Sequence, residues 1–145
     1  PAGLAIEQIY PIGRSTRTGY DELRRRSAKI DADSQATNYT YLPTGLVETI
    51  TDPLGNSTQF QYDAVGRRTA QIDPLLRTTT TLYDAVGNAI ELTTPLGHIQ
   101  RFEYDMLDRL IRSTAAEGRE TEFEYDLVDN RILQRDPEDF ETIDH

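Results

Sequence analysis

Between Ser57 and Tyr62 apolar and polar residues alternate: Thr58, Phe60 and Tyr62 fall on one side, Ser57, Gln59 and Gln61 on the other. The same alternation returns at His98 to Tyr104, with Gln100, Phe102 and Tyr104 set against Ile99, Arg101 and Glu103. It returns again at Arg119 to Tyr125, with Thr121, Phe123 and Tyr125 set against Glu120, Glu122 and Glu124. A period of two with β-branched and aromatic residues on one side is the pattern of a strand exposed on its other face. Each of these segments ends in a tyrosine, and the tyrosines keep step. Tyr20, Tyr41, Tyr62, Tyr83, Tyr104 and Tyr125 stand 21 residues apart without insertion or deletion. A fixed period of this kind specifies a repeat architecture.

A second landmark runs in the same register. After Tyr62, Tyr83, Tyr104 and Tyr125 come Asp63, Asp84, Asp105 and Asp126, and Gly66 and Gly87 follow three residues after the first two of these. Halfway through each repeat stands another corner, best formed as Asp52-Pro53-Leu54-Gly55 and echoed by Asp73-Pro74-Leu75-Leu76, Thr94-Pro95-Leu96-Gly97, Ala115-Ala116-Glu117-Gly118, Asp31-Ala32-Asp33-Ser34, Tyr10-Pro11-Ile12-Gly13 and Asp136-Pro137-Glu138-Asp139. Asp accepts backbone N–H bonds at the first position of a type I turn, Pro presets φ at the second, and Gly tolerates the fourth. A Gly there also marks a hairpin closed by a bulge, where φ is positive. Asp108, Asp129 and Asp139 take that place elsewhere, and Asp is among the few other residues that visit this region.

Each repeat therefore holds two turns, and what remains is strands of about 6 or 7 residues. About 14 such strands in sequence predict an all-β fold: an antiparallel meander of 21-residue, two-strand repeats forming a curved strip of sheet. The segment Tyr20 to Lys29, with three consecutive arginines, has the most helical composition, but the register reads it as a degenerate turn and strand. The second strand of each repeat, as in Arg67 to Ile72 and Asn88 to Thr93, carries polar groups on both faces. A sheet wetted on both sides suits the wall of something hollow better than half of a sandwich.

These corners and strands resemble the rearrangement-hotspot (Rhs) or YD-repeat family, whose repeat is similar to Tyr-Asp-x-x-Gly-Arg, a short strand, Thr-Asp-Pro-x-Gly, and a strand of the form Thr-x-x-Phe/Tyr-x-Tyr. Thr51-Asp52-Pro53-Leu54-Gly55-Asn56 with Thr58, Phe60, Tyr62 and Asp63 matches every element. The departures are Arg24 and Asp108 at the Gly position, Leu46 and Asn88 at the Arg position, and Ala115-Ala116 in place of Asp-Pro. Residues 1–145 are expected to form a single array of about six to seven repeats, degenerate before Tyr41 and part of a longer chain. The resemblance implies a segment of a hollow β-shell that encloses and delivers a C-terminal toxin, secreted or at a cell surface, with no activity of its own. Its partners would be the toxin cargo and the rest of the shell. The family's self-cleaving aspartate motif is echoed only superficially at Asp52 to Gly55, which reads as an ordinary repeat turn.

Composition narrows the alternatives. The apolar fraction is 37% and mean hydropathy is −0.61, low for a compact domain. A net charge of −10 disfavours nucleic acid and anionic lipid. No cysteine is present, and no apolar run approaches a membrane span. His98 follows a turn, and with His145 makes up the two histidines; no nucleophile–base arrangement can be assembled around them. The periodic aspartates read as turn caps rather than catalytic carboxylates or calcium ligands, and Arg24-Arg25-Arg26 as a solvated edge rather than an anion site. No catalytic, metal or cofactor residue is expected. The competing reading is a carbohydrate or cell-surface binding module that stacks sugars on the repeat tyrosines. Open strands near Ile6 and near Ile132 predict self-association, because neither end shows a cap.

Overall fold

In a computed structural model, residues 5–9 and 15–135 are described. The turns expected at Tyr10 to Gly13 and Asp136 to Asp139, and His145, lie outside them. The chain divides into two units, Pro1–Arg77 and Thr78–His145. The first holds β1 (Ala5–Ile9), β2 (Ser15–Tyr20), β3 (Arg26–Ile30), β4 (Ala36–Tyr41), β5 (Val47–Thr51), β6 (Ser57–Tyr62) and β7 (Arg68–Ile72). The second holds β8 (Thr78–Tyr83), β9 (Ala89–Thr93), β10 (Ile99–Tyr104), β11 (Leu110–Thr114), β12 (Glu120–Tyr125) and β13 (Arg131–Arg135). Within each unit every strand pairs antiparallel with the next in sequence, and the described residues contain no helix. The arginine-rich stretch from Tyr20 to Lys29 is the end of β2, a turn and most of β3.

Strands of six and five residues alternate; the six-residue strands match the 6 or 7 expected from the sequence, and the five-residue ones fall one short. The difference lies in the corners, which take five residues instead of four. In the corner after β6 the Gly66 N–H donates to the Asp63 carbonyl at 3.1 Å, closing the type I turn. The Asp63 N–H then donates to the Arg67 carbonyl at 3.0 Å, adding a fifth residue before pairing resumes. Two strands and two such corners complete the 21-residue step.

The two kinds of corner differ in how the strands pair beside them. Next to each tyrosine the ladder slips: Gln61 faces Ala70 but Tyr62 faces Arg68, so β7 carries a bulge. The same slip occurs at Tyr20, Tyr41, Tyr83, Tyr104 and Tyr125. The pairing after the Asp-Pro corners is even, as in Thr51 opposite Ser57 and Ile50 opposite Thr58. A bulge re-aims the residue beside it, and here that residue is the tyrosine.

Burial follows from the single layer. Ala70, at 6% exposure, is the one buried residue among those described. The expected alternation is present: Thr58, Phe60 and Tyr62 are half-buried where Gln59 and Gln61 are exposed, and Phe102 and Tyr104 where Arg101 and Glu103 are exposed. The aromatic face is thus covered by its own neighbours within the sheet. In the second unit the opposite face carries the strand charges, with Arg101 paired to Glu91 at 3.1 Å and Arg112 to Glu122 at 3.2 Å.

Candidate functional site

The six period-marking tyrosines close β2, β4, β6, β8, β10 and β12. Where the hydroxyl can be followed, it donates to a backbone carbonyl 15 residues back, on the preceding hairpin: Tyr41 to Arg26 at 2.7 Å, Tyr62 to Val47 at 2.8 Å, Tyr104 to Ala89 at 3.0 Å and Tyr125 to Leu110 at 2.9 Å. The acceptor is the first residue of the preceding five-residue strand, two residues beyond the point where that strand stops pairing with the tyrosine's own strand. Each bond contributes about 0.5–1.5 kcal/mol net. At Tyr104, desolvation first and the charge of Asp84 second push the phenol above its ordinary pKa.

Each aspartate organises its own corner. Asp52 Oδ1 accepts the N–H of Leu54 and of Asn56, both at 2.8 Å, and Oδ2 accepts Asn56 Nδ2 at 2.8 Å. Asp63 does the same with Val65 at 3.0 Å, Arg67 N–H at 2.9 Å and Arg67 Nε at 2.6 Å. Asp84, Asp105 and Asp126 repeat the arrangement with Asn88, Arg109 and Asn130. Side-chain bonds from the fifth residue lead in holding Asp52, Asp73, Asp105 and Asp126 below the ordinary carboxylate range. At Asp21, Asp63 and Asp84 partial desolvation pulls upward, and hydrogen bonds outweigh it, led by the main-chain N–H of Arg25 and Asn88 at Asp21 and Asp84 and by the Arg67 side chain at Asp63. Pro53 occupies the second turn position, and Gly55, Gly66 and Gly87 the fourth, with φ of 85°, 88° and 113°. Among the described residues, five with side chains hold that conformation as well: Arg24, Ser34, Leu76, Asp108 and Asp129.

A third layer of contacts joins one Tyr-Asp corner to the next. Arg25 lies over the Tyr41 ring at 4.6 Å and reaches the Leu42 carbonyl at 3.4 Å. Arg109 lies over Tyr125 at 4.8 Å, bonds Asp105, and reaches forward to the Asp126 carbonyl at 3.3 Å and Asp129 Oδ1 at 2.8 Å. Asn88 Nδ2 bonds Asp108 Oδ1 at 2.9 Å. These forward links from the fifth corner residue are not readable from motif spacing alone, since they depend on how hairpins stagger. The signal that could have located them is the recurrence of Arg or Asn after the Gly position, one period apart.

Among the described residues no group of three or more His, Cys, Asp or Glu is placed to hold a metal ion. His98 is exposed in its corner, its N–H donating to Thr94 Oγ1 at 3.2 Å. Tyr41, Tyr62, Tyr104 and Tyr125 are engaged at the hydroxyl, and Tyr41 and Tyr125 carry an arginine on one ring face.

A family model described as RHS Repeat matches residues 41–78, 83–115 and 104–140. The chain belongs to the RHS repeat family. No curated protein matches it in sequence. Among solved structures, this RHS repeat array is similar to a chain of the Photorhabdus luminescens Tc holotoxin pore carrying a mutation in TccC3, with a TM-score of 0.63, 19% identity and 94% of the array covered. It is similar also to a chain of the TcdB2–TccC3 complex, at 0.63, 19% and 94%, and of the same complex without the hypervariable C-terminal region, at 0.64, 20% and 94%. At such identities the likeness establishes the fold. The array spans 8% of the length of those chains.

Proposed function

We propose that this RHS repeat array is a wall segment of a toxin-enclosing β-shell, structural in role and without catalysis of its own. Its partners are a toxin cargo carried by the parent chain and the other repeats of the shell, and it works outside the producing cell, secreted or at a surface. The observation that carries the reading is the combination of family and fold: an RHS repeat sheet that superposes over nearly its whole length on Tc toxin chains. The physics is consistent with a wall. A sheet with one buried residue among those described is not built as the core of a globule, and its inter-repeat bonds serve to keep strands in file. The same reading takes the phased Tyr, Asp and Gly residues as structural positions throughout the 145-residue array. Its outermost described strands, β1 and β13, each pair with one neighbour and are proposed as contacts to further repeats or to second copies.

Limited proteolysis of the parent polypeptide tests the container. A downstream toxin segment is expected to resist trypsin in the intact protein and to be digested once β9 and β10 are replaced by a flexible linker. Equal digestion of that segment in both proteins refutes enclosure.

A further inference from the structure

The corners that follow the repeat tyrosines differ at their fourth place. In four of them the preceding corner of the same kind lies among the described residues of the same unit. Gly45 and Gly66 fill the fourth place in the first unit, with φ of 90° and 88°. Asp108 and Asp129 fill it in the second, with φ of 60° and 66°. Glycine reaches that conformation freely, whereas a side chain enters it at a cost, even one as tolerated there as aspartate. Turn chemistry taken corner by corner therefore favours Gly at all four places and does not account for the two aspartates. The hydrogen bond that each of these carboxylates accepts comes from the preceding hairpin, not from its own turn.

What differs is the neighbour. Each fourth place lies beside the fifth residue of the corner one hairpin earlier. Asn88 Nδ2 donates to Asp108 Oδ1 at 2.9 Å, and Arg109 Nη1 to Asp129 Oδ1 at 2.8 Å. Leu46 stands before Gly66: a Cβ added to Gly66 would come 3.5 Å from Leu46 Cδ1, so a carboxylate there would open onto hydrocarbon. Arg25 precedes Gly45 and, with no carboxylate to meet, turns to the Leu42 carbonyl at 3.4 Å. Both aspartates thus follow a side chain that donates, and the glycine after Leu46 follows one that has nothing to donate. In the Asp-Pro corner of the second unit Arg119 instead pairs with Glu117 of its own turn at 3.3 Å.

We propose that the fifth residue of one tyrosine corner and the fourth residue of the next form a matched pair that determines which repeat can follow which: Asp follows Asn or Arg, and Gly follows Leu. The fourth residue is then chosen by the neighbouring hairpin and not by its own turn. A mismatched junction loses on either side. Asp after Leu46 would keep the unfavourable backbone and face no donor. Gly after Asn88 would relax the backbone but leave Nδ2 with Asp84 alone, at 3.1 Å. The tyrosine stitch cannot make this distinction, because its acceptor is a main-chain carbonyl that every residue type presents. Register and order are separate in this chain: the period aligns the strands, and the corner pairs rank the neighbours. The pairing holds whatever the array encloses.

Double-variant cycles in the full chain, read as urea midpoints, test the pairing. Asn88→Leu removes a donor, and Asp108→Gly removes its acceptor together with the backbone cost. Asp108→Gly is expected to cost the native chain more than it costs a chain carrying Asn88→Leu, by about 0.3 M or more in midpoint. The bond from Asn88 to Asp84 is lost in both arms and cancels. The reciprocal cycle should agree: Gly66→Asp lowers the midpoint further in the native chain than in one carrying Leu46→Asn. Asn88→Leu and Asp129→Gly belong to different pairs and should add. By NMR the Asn88 side-chain amide should shift in Asp108→Gly and stay in place in Asp129→Gly. Additive midpoints in both cycles overturn the proposal, as does a coupling of Asn88 to Asp129 equal to its coupling to Asp108, or an Asn88 amide indifferent to Asp108→Gly. Should Asn88→Leu fail to fold, the Leu46 and Gly66 cycle decides alone, and additivity there is enough to refute the pairing.

Discussion

Leu76 offers a measurable stability gain. It occupies the fourth position of the Asp73 corner at φ 61°, where Gly45, Gly55, Gly66, Gly97 and Gly118 stand in equivalent corners. Its N–H donates to the Asp73 carbonyl at 2.9 Å, so the turn is closed in spite of the side chain. A Cβ in left-handed backbone costs about 1–2 kcal/mol. Against this, replacing Leu by Gly loosens the unfolded chain by about 0.5–1 kcal/mol. Burial adds little, since the side chain is 79% exposed. Leu76→Gly should therefore stabilise the fold by about 0.5–1 kcal/mol, the difference between those two effects. With a urea slope of about 2 kcal/mol/M the unfolding midpoint rises by about 0.3–0.5 M. Leu54→Gly is the control: Leu54 is similarly exposed at a corner but does not have positive φ, so glycine there should lower the midpoint or leave it unchanged. A lower midpoint for Leu76→Gly, or an equal rise for Leu54→Gly, refutes the backbone-strain reasoning.

Removing one hydroxyl by Tyr62→Phe should cost about 0.5–1.5 kcal/mol in chemical denaturation, and adding Tyr104→Phe should about double the loss, because the two bonds share no partner. Arg109→Ala should lower the melting temperature more than Arg119→Ala, since Arg109 joins two corners and stacks on Tyr125 while Arg119 meets only an exposed glutamate. Acid should destabilise the chain in a defined window. The corner aspartates are depressed in the folded state, so their contribution is complete above about pH 4, the unfolded carboxylate value, and is lost as pH falls through the lower folded values. A melting temperature flat from about pH 4 to about pH 2, or a decline unchanged in Asp52→Asn, would contradict this.

The meander was legible because its signals are local. A tyrosine, an aspartate next to it and a glycine three residues on determine where a strand ends and how it turns, and each can be read without knowing what lies across the sheet. Even the degenerate corner at Asp21 follows the register, with Arg24 taking the position of the missing glycine at φ 60°. That the corner takes a fifth residue was not read, although Arg67, Asn88 and Arg109 recur at that place, because the bond from the Asp63 N–H to the Arg67 carbonyl is main chain to main chain and leaves no mark on side-chain type. Nor were the links between hairpins. That Tyr104 meets the Ala89 carbonyl and Arg109 meets Asp129 depends on strand stagger and on the bulge beside each tyrosine. The apolar tips were visible as letters in the sequence, but only the structure shows Met106 and Leu127 to be exposed rather than packed.

The tyrosine stitch reaches back a constant 15 residues in a 21-residue period. Excision or duplication of one whole period therefore presents every remaining hydroxyl with an equivalent acceptor, whereas a change of any other length misaligns all the stitches across the junction. A gene built this way can lengthen or shorten by recombination between its own copies and still encode a foldable product, so the length of the array is open to selection without any new packing having to be invented.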